Sequence, residues 1–209
     1  WHEVALDNEH DRTRFSDRLR LAIARSPAIR ELAGNPLLLT MMAILNLRQE
    51  LPRDRVNLYE QASLVLLHSW DIEYHELVQV LDVLARQGKQ ALLKQIAYKM
   101  QSAPAGNAGN SISREDLILE ISQFLRDRDV DKPQQVADKL IEQLRTRNFI
   151  LCHLGANIYT FMHRTLLEYF CASYFVEQFE RRQKLSLSDL IETVYHPHWQ
   201  NTTWHEVLR

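Results

Sequence analysis

The chain has 209 residues, of which 45% are hydrophobic and 25% charged, an ordinary globular balance with room for one large domain or two small ones. Its formal net charge of -2 gives no bulk attraction for nucleic-acid phosphates or anionic lipids. Cys152 and Cys171 are too few for a disulfide framework and read as thiols in a reducing compartment, the cytoplasm. No basic-then-apolar leader opens the sequence, and its longest apolar stretch, Pro36 to Leu45, is far short of the ~20 residues a membrane span needs, so no membrane is expected among its partners. The triplet Asn201-Thr202-Thr203 then has no expected consequence as a glycosylation site.

With five glycines, six prolines and apolar residues recurring at three- and four-residue spacing, the chain reads as mainly helical. Ser26-Pro27 has the form of an N-cap followed by proline in the first helical turn, and Asn35-Pro36 repeats it, so two helices should meet at a sharp corner. Leu51-Pro52-Arg53-Asp54 is a break. After it, Leu58, Ala62, Val65, Leu66 and Ser69 trace one face of a helix ending near Trp70 and Asp71. A further helix is expected through Leu92, Ile96 and Met100.

Residues 102–111 (SAPAGNAGNS) carry two glycines and no charge, and read as a surface loop. Ser113 and Asp116 resemble a capping box opening a helix through Leu117, Ile121 and Phe124, and Pro133 opens the next, through Val136, Leu140 and Leu144 to Arg147. Then the pattern changes. Phe149 to Cys152 and Ile158 to Phe161 are β-rich runs around a turn at Gly155 to Asn157, the signature of a hairpin. Helix, helix, helix, hairpin is the order of a winged-helix domain. An apolar helix from about Arg164 to Phe179 follows, then a short one near Leu187 to Val194 and a last one from near Trp204. The expected architecture is therefore mainly α: a helical bundle, a winged-helix domain with a small β-hairpin wing, and the start of a helical superhelix.

Three stretches resemble the part of NACHT-family signalling NTPases, the STAND class, that follows their P-loop domain. They are Leu32-Ala33-Gly34-Asn35-Pro36-Leu37-Leu38-Leu39-Thr40; Leu51-Pro52-Arg53-Asp54-Arg55 with Leu58-Tyr59-Glu60 and Trp70-Asp71; and the run Phe161-Met162-His163-Arg164-Thr165-Leu166-Leu167-Glu168-Tyr169-Phe170-Cys171-Ala172. The second is similar to the family's "LP..R..LYE…LL..W" helix and the third to its "F.H.T..EY.AA" signature after the wing. Cys171 stands where a small residue is commoner, a minor departure because thiol and methyl volumes are close. The resemblance implies a helical domain at 1–75, a winged-helix domain at 76–182 and the entry to a superhelical or repeat region at 183–209.

The same resemblance implies a nucleotide-state sensor: a module that clamps ADP in a closed state and rearranges on ATP exchange to permit oligomerisation, in bacterial antiphage defence, a form of innate immunity. Pro36 would pack on the adenine ring, and His163 would donate to the ADP β-phosphate. The implied partners are the P-loop domain and C-terminal sensor repeats of the same chain and further copies of it, with ADP or ATP and Mg as cofactors of the full-length protein. On residues alone, Pro36 is equally a first-turn helix residue and His163 a capping or packing side chain. A phosphate beside an imidazole whose ordinary pKa is ~6.5 would favour its protonated form.

The enzymology rests on what the sequence lacks. A P-loop needs Gly, four residues, then Gly-Lys-Ser/Thr, because backbone amides wrap the phosphates, Lys neutralises them and the hydroxyl ligates magnesium. Gly88-Lys89 is followed by Gln90 and preceded five positions back by Val83, and no apolar strand ends in paired carboxylates. These 209 residues are therefore expected to hold no catalytic residue and not to turn over ATP by themselves. The aromatics Phe161, Tyr169, Phe170, Tyr174, Phe175 and Phe179 read as core packing, and Glu168 as either an interdomain ion-pair partner or a solvated acid. His196 with His198, and His153 with His163, lack the further ligands that zinc needs, so no metal site is expected.

The main alternative is a DNA-binding winged-helix regulator, whose third helix would enter the major groove. Residues 149–162 contain no Lys or Arg, and residues 132–147 carry four basic against two acidic side chains, a thin surplus for phosphate contact. Nucleic acid is thus not expected as a partner, and the apolar wing suits protein contact better. A repeat scaffold lacks its fixed period, and an independent hydrolase lacks a nucleophile with a placed base.

Overall fold

The computed structural model describes residues 7–68, 86–102, 110–146, 150–180 and 184–195. The chain divides into two compact units, Trp1–Val65 and Leu66–Arg209.

The first unit is helical. Helix α1 (Glu9–Arg25) is capped by Asn8, whose side chain accepts from the His10 amide at 2.9 Å. Helix α2 (Pro27–Ala33) starts where the sequence indicates, with the Ser26 hydroxyl accepting from Ile29 N at 3.3 Å. In helix α3 (Pro36–Arg48) the Asn35 side chain accepts from both Leu37 N and Leu38 N. Each proline sits where its missing N–H costs nothing, and each cap satisfies amides that have no intrahelical partner. The corner between α2 and α3 is sharp, at 119°. Helix α3 is apolar on nearly all sides and supplies much of the core, including Leu38, Met41, Met42 and Leu45.

Helix α4 (Arg55–His68) opens behind Asp54, which accepts from the Asn57 amide at 2.8 Å and the Asn57 side chain at 2.9 Å. These donors hold the Asp54 carboxyl below its ordinary range. Leu58, Tyr59 and Ala62 of α4 are buried, and Arg55 donates to Glu31 of α2. Trp70 and Asp71, expected at the end of this helix, lie outside the described residues. No single described helix is long and apolar enough to cross a membrane.

The second unit follows the order α5 (Arg86–Gln101), β1 (Ser111–Ser113), α6 (Arg114–Arg126), α7 (Pro133–Thr146), β2 (Leu151–Gly155), β3 (Ile158–Phe161), α8 (Arg164–Glu180) and α9 (Leu187–Tyr195). Its antiparallel sheet runs β1-β3-β2, with Ile112 opposite Tyr159 and Leu151 opposite Phe161. Strand β1 is not expected from the sequence. Three residues are too short to show alternation, and Ser-Ile-Ser acquires strand character only by pairing with β3. Its last residue, Ser113, is also the α6 N-cap, accepting from Asp116 N at 3.0 Å and donating to the Asp116 carboxylate at 2.8 Å.

The hairpin turn matches expectation. Gly155, Ala156 and Asn157 all have positive φ (98°, 47° and 59°), the conformation that tight primed turns require. The Asn157 carbonyl accepts from Arg114 N at 2.7 Å, tying the turn to the start of α6. Helix α8 is the spine of the unit and packs along α5, where Tyr98 and Tyr174 stack at 4.3 Å and Lys94 pairs with Glu177 at 3.1 Å. Phe161 of β3 and Tyr169, Phe170 and Phe175 of α8 are buried in the core, while Tyr174 and Phe179 are half-buried. Cys171 is fully buried, and burial pushes its thiol far above the range in which a thiolate forms. The proposed last helix near Trp204 and the His196/His198 pair lie outside the described residues.

Candidate functional site

Pro36 belongs to the first unit and His163 to the second. Pro36 is the first residue of α3, and its ring is exposed although the helix behind it is largely buried. One turn on, Leu39 is also exposed, at 37%. Asn35 fixes this end of the helix by taking two of its free amides, so proline and leucine are presented on a rigid support. An exposed, preset apolar ring of this kind can lie against a flat apolar ligand edge, and it costs little conformational entropy to do so.

Met162 and His163 join β3 to α8, and the Met162 amide donates to the Ile150 carbonyl at 2.8 Å. The backbone carbonyl of His163 accepts from Leu166 N at 3.1 Å and Leu167 N at 3.3 Å, so this residue is the N-terminal cap of α8 by its main chain. The imidazole is half-buried, and desolvation lowers its pKa below the ordinary 6.5. Burial thus favours the neutral ring. A phosphate would push the other way, and the positive end of the α8 dipole favours an anion there. The Thr165 hydroxyl, two residues on, is buried with no hydrogen-bond partner among the described residues.

Glu168 is not the solvated acid that one sequence expectation allowed. It is buried, at 6% exposed, and its carboxylate accepts from Arg164 Nε at 2.8 Å within α8 itself. The i,i+4 spacing that makes this pair was visible in the sequence, but the burial that gives it weight was not. His153 packs on Tyr159 across the hairpin, ring centroids 5.1 Å apart. Among the described residues, no group of three or more His, Cys, Asp or Glu side chains could hold a metal ion.

The outer face of α7, the helix that would enter a DNA groove, presents Gln134, Gln135, Asp138, Lys139, Glu142 and Thr146. Asp138 is bonded to Arg114 at 2.6 Å, and Arg145 is engaged by Glu142 at 2.8 Å. Lys139 is exposed between Asp138 and Glu142 in the sequence of this face. The wing exposes Leu154, at 64%, and Met162, at 40%, and carries no cation.

Residues 55–175 match the family described as the winged helix-turn-helix domain C-terminal to NACHT. The chain belongs to this family. No curated relative and no solved structure matches it. The match to the NACHT-associated winged helix begins at Arg55, the first residue of α4, and ends at Phe175 within α8. It takes in the whole helix-strand-helix-helix-hairpin series and His163, while Pro36 lies before it.

Proposed function

We propose that this chain is the nucleotide-state-sensing and autoinhibitory module of a NACHT-type, STAND-class signalling ATPase. In the closed state it clamps ADP, with Pro36 against the adenine and His163 donating to the β-phosphate. Exchange for ATP and Mg loosens that clamp, the winged helix changes position, and the protein oligomerises to signal. The nucleotide domain and the sensor repeats belong to the same full-length chain, which acts in the cytoplasm in antiphage defence.

The observation that carries this reading is the match of residues 55–175 to the winged helix that follows NACHT. The place of His163 supports it. A partly desolvated imidazole at the start of a helix, its pKa lowered by burial, would take up a proton when a phosphate arrives. The two-residue link from wing to α8, Met162 and His163, would convert a contact with nucleotide into a rotation of the domain. The outer face of α7 and the cation-free wing support contact with protein in preference to DNA.

The test is ADP retention by the full-length chain with its nucleotide domain. Purified protein should carry ADP, lose it on exchange with ATP and Mg, and grow in oligomer size as it does. The 209 residues alone should show no turnover of ATP. A full-length protein whose oligomeric size and ADP content are independent of each other would overturn the reading.

A further inference from the structure

The first unit contains a cleft of about 540 Å³ bounded by α1, the start of α2, the end of α3 and the loop before α4. This volume lies in the range of small-molecule sites, roughly 300–1,000 Å³. Its walls are apolar at Leu21, Ala22, Ile29 and Leu51 and cationic at Arg18, Arg25 and Arg53. Glu50 is the one acidic residue lining it, so two positive charges remain in excess (three minus one). No carboxylate among the described residues lies within ion-pair distance of any of the three arginines.

Arg18 is held in place by two contacts. Its Nε donates to Asn46 Oδ1 at 2.9 Å, and its guanidinium lies over the Phe15 ring at 5.0 Å. Asn46 is fully buried in the otherwise apolar α3, and its amide donates to the Phe15 carbonyl at 2.7 Å. A buried asparagine in such a helix costs stability unless both ends of its amide are used, and here one end is used to aim an arginine. Neither terminal nitrogen of Arg18 has a hydrogen-bond acceptor among the described residues, and Nη2 is buried. The opposite walls are stapled as well, since Ser26 caps α2 and donates to the Arg53 carbonyl at 3.0 Å.

We infer that this cleft is a binding site for a small organic anion, an apolar body ending in a carboxylate or phosphate group. The apolar wall would take the body, and Arg18, preset by its Nε bond to Asn46 and with no acceptor for its terminal nitrogens among the described residues, would take the anionic end, with Arg53 and Arg25 adding charge at the rim. Neither Pro36 nor His163 lines the cleft, so this ligand is separate from the nucleotide proposed above and the two readings stand or fall apart.

The experiment titrates the full 209-residue chain with octanoate, octyl phosphate, octanol and inorganic phosphate, following backbone amide NMR shifts. Octanoate or octyl phosphate should bind saturably, with shifts concentrated in α1, the end of α3 and residues 50–53. Whichever of the two binds more tightly identifies the head group. Octanol and inorganic phosphate should each bind at least about tenfold more weakly, because each offers only half of the recognition. Arg18→Gln should weaken the anion about tenfold, and Arg53→Gln, at an exposed position, provides the same test should the first variant fold poorly. Arg20→Gln, away from the cleft and paired with Asp17, should change nothing. Octanol binding as well as octanoate, shifts confined to other surfaces, or unchanged affinity in folded Arg18→Gln and Arg53→Gln would each overturn the inference.

Discussion

Replacing His163 by alanine in the full-length protein tests the nucleotide reading most directly. The capping of α8 runs through the His163 carbonyl, which bonds Leu166 N and Leu167 N, and alanine keeps that carbonyl. The cost to the fold should therefore stay below about 1 kcal/mol, as for substitutions outside the core. What is lost is the imidazole N–H and its charge. A hydrogen bond to a charged group contributes about 1.5–3 kcal/mol, so ADP should leave roughly ten- to a hundredfold faster. The pH dependence separates this from a packing effect. Without nucleotide the His163 pKa lies below 6.5, and a bound phosphate raises it, so ADP binding takes up a proton and must tighten as pH falls from about 7.5 toward 6. His163→Ala should abolish that slope, and His163→Gln, a donor that does not titrate in this range, should recover part of the retention without the slope. The assay is release of a fluorescent ADP analogue across this pH range, with oligomer size measured in parallel. Unchanged release and an unchanged slope in a folded His163→Ala protein would show that His163 does not hold the ADP β-phosphate.

Three further outcomes can be checked on the 209-residue chain. Gly155 has φ 98° with open space around its Cβ position, so Gly155→Ala should cost about 1–2 kcal/mol through backbone strain alone, and Gly155→Asn less, measured by denaturant unfolding. Phe170 is 1% exposed and packs on Phe161 and Tyr169 at 5.9 and 5.3 Å between ring centroids, so Phe170→Ala should lose about 3–5 kcal/mol, seen as a large fall in the unfolding midpoint. Because burial lowers the His163 pKa, the unfolded chain binds a proton there more readily than the native one. The contribution of His163 to stability is full above pH 6.5 and is lost as pH falls through 6.5 toward the native value, and His163→Ala should flatten that part of the stability profile.

Much of the architecture was legible because the signals are local. Ser26-Pro27 and Asn35-Pro36 predict two helix starts, since capping depends on three or four neighbouring residues, and both caps are made. Pro133, the Gly155 to Asn157 turn and the apolar spacing of α8 were readable for the same reason. Strand β1 was not, because Ser111-Ile112-Ser113 has no character of its own until Thr160, Tyr159 and Ile158 stand beside it. The motif residues Pro36 and His163 could be singled out from the sequence, yet the state of each could not. Exposure of the Pro36 ring follows from how α3 packs its other sides, and the lowered pKa of His163 from how much of the imidazole the fold covers.

The cleft marks the boundary between the two kinds of information. Arg18 and Asn46 are 28 residues apart, and nothing in a helical periodicity pairs them. By itself the sequence determined the class, mainly helical with a wing, and the family resemblance, because hydrophobic period, caps and turn residues are written over short windows. Tertiary structure alone decided which polar groups are buried, that Glu168 is held by Arg164, and that Arg18 is fixed by an asparagine inside an apolar helix. Burial and long-range partners set the charge state and aim of a side chain, and both exist only once distant segments have packed.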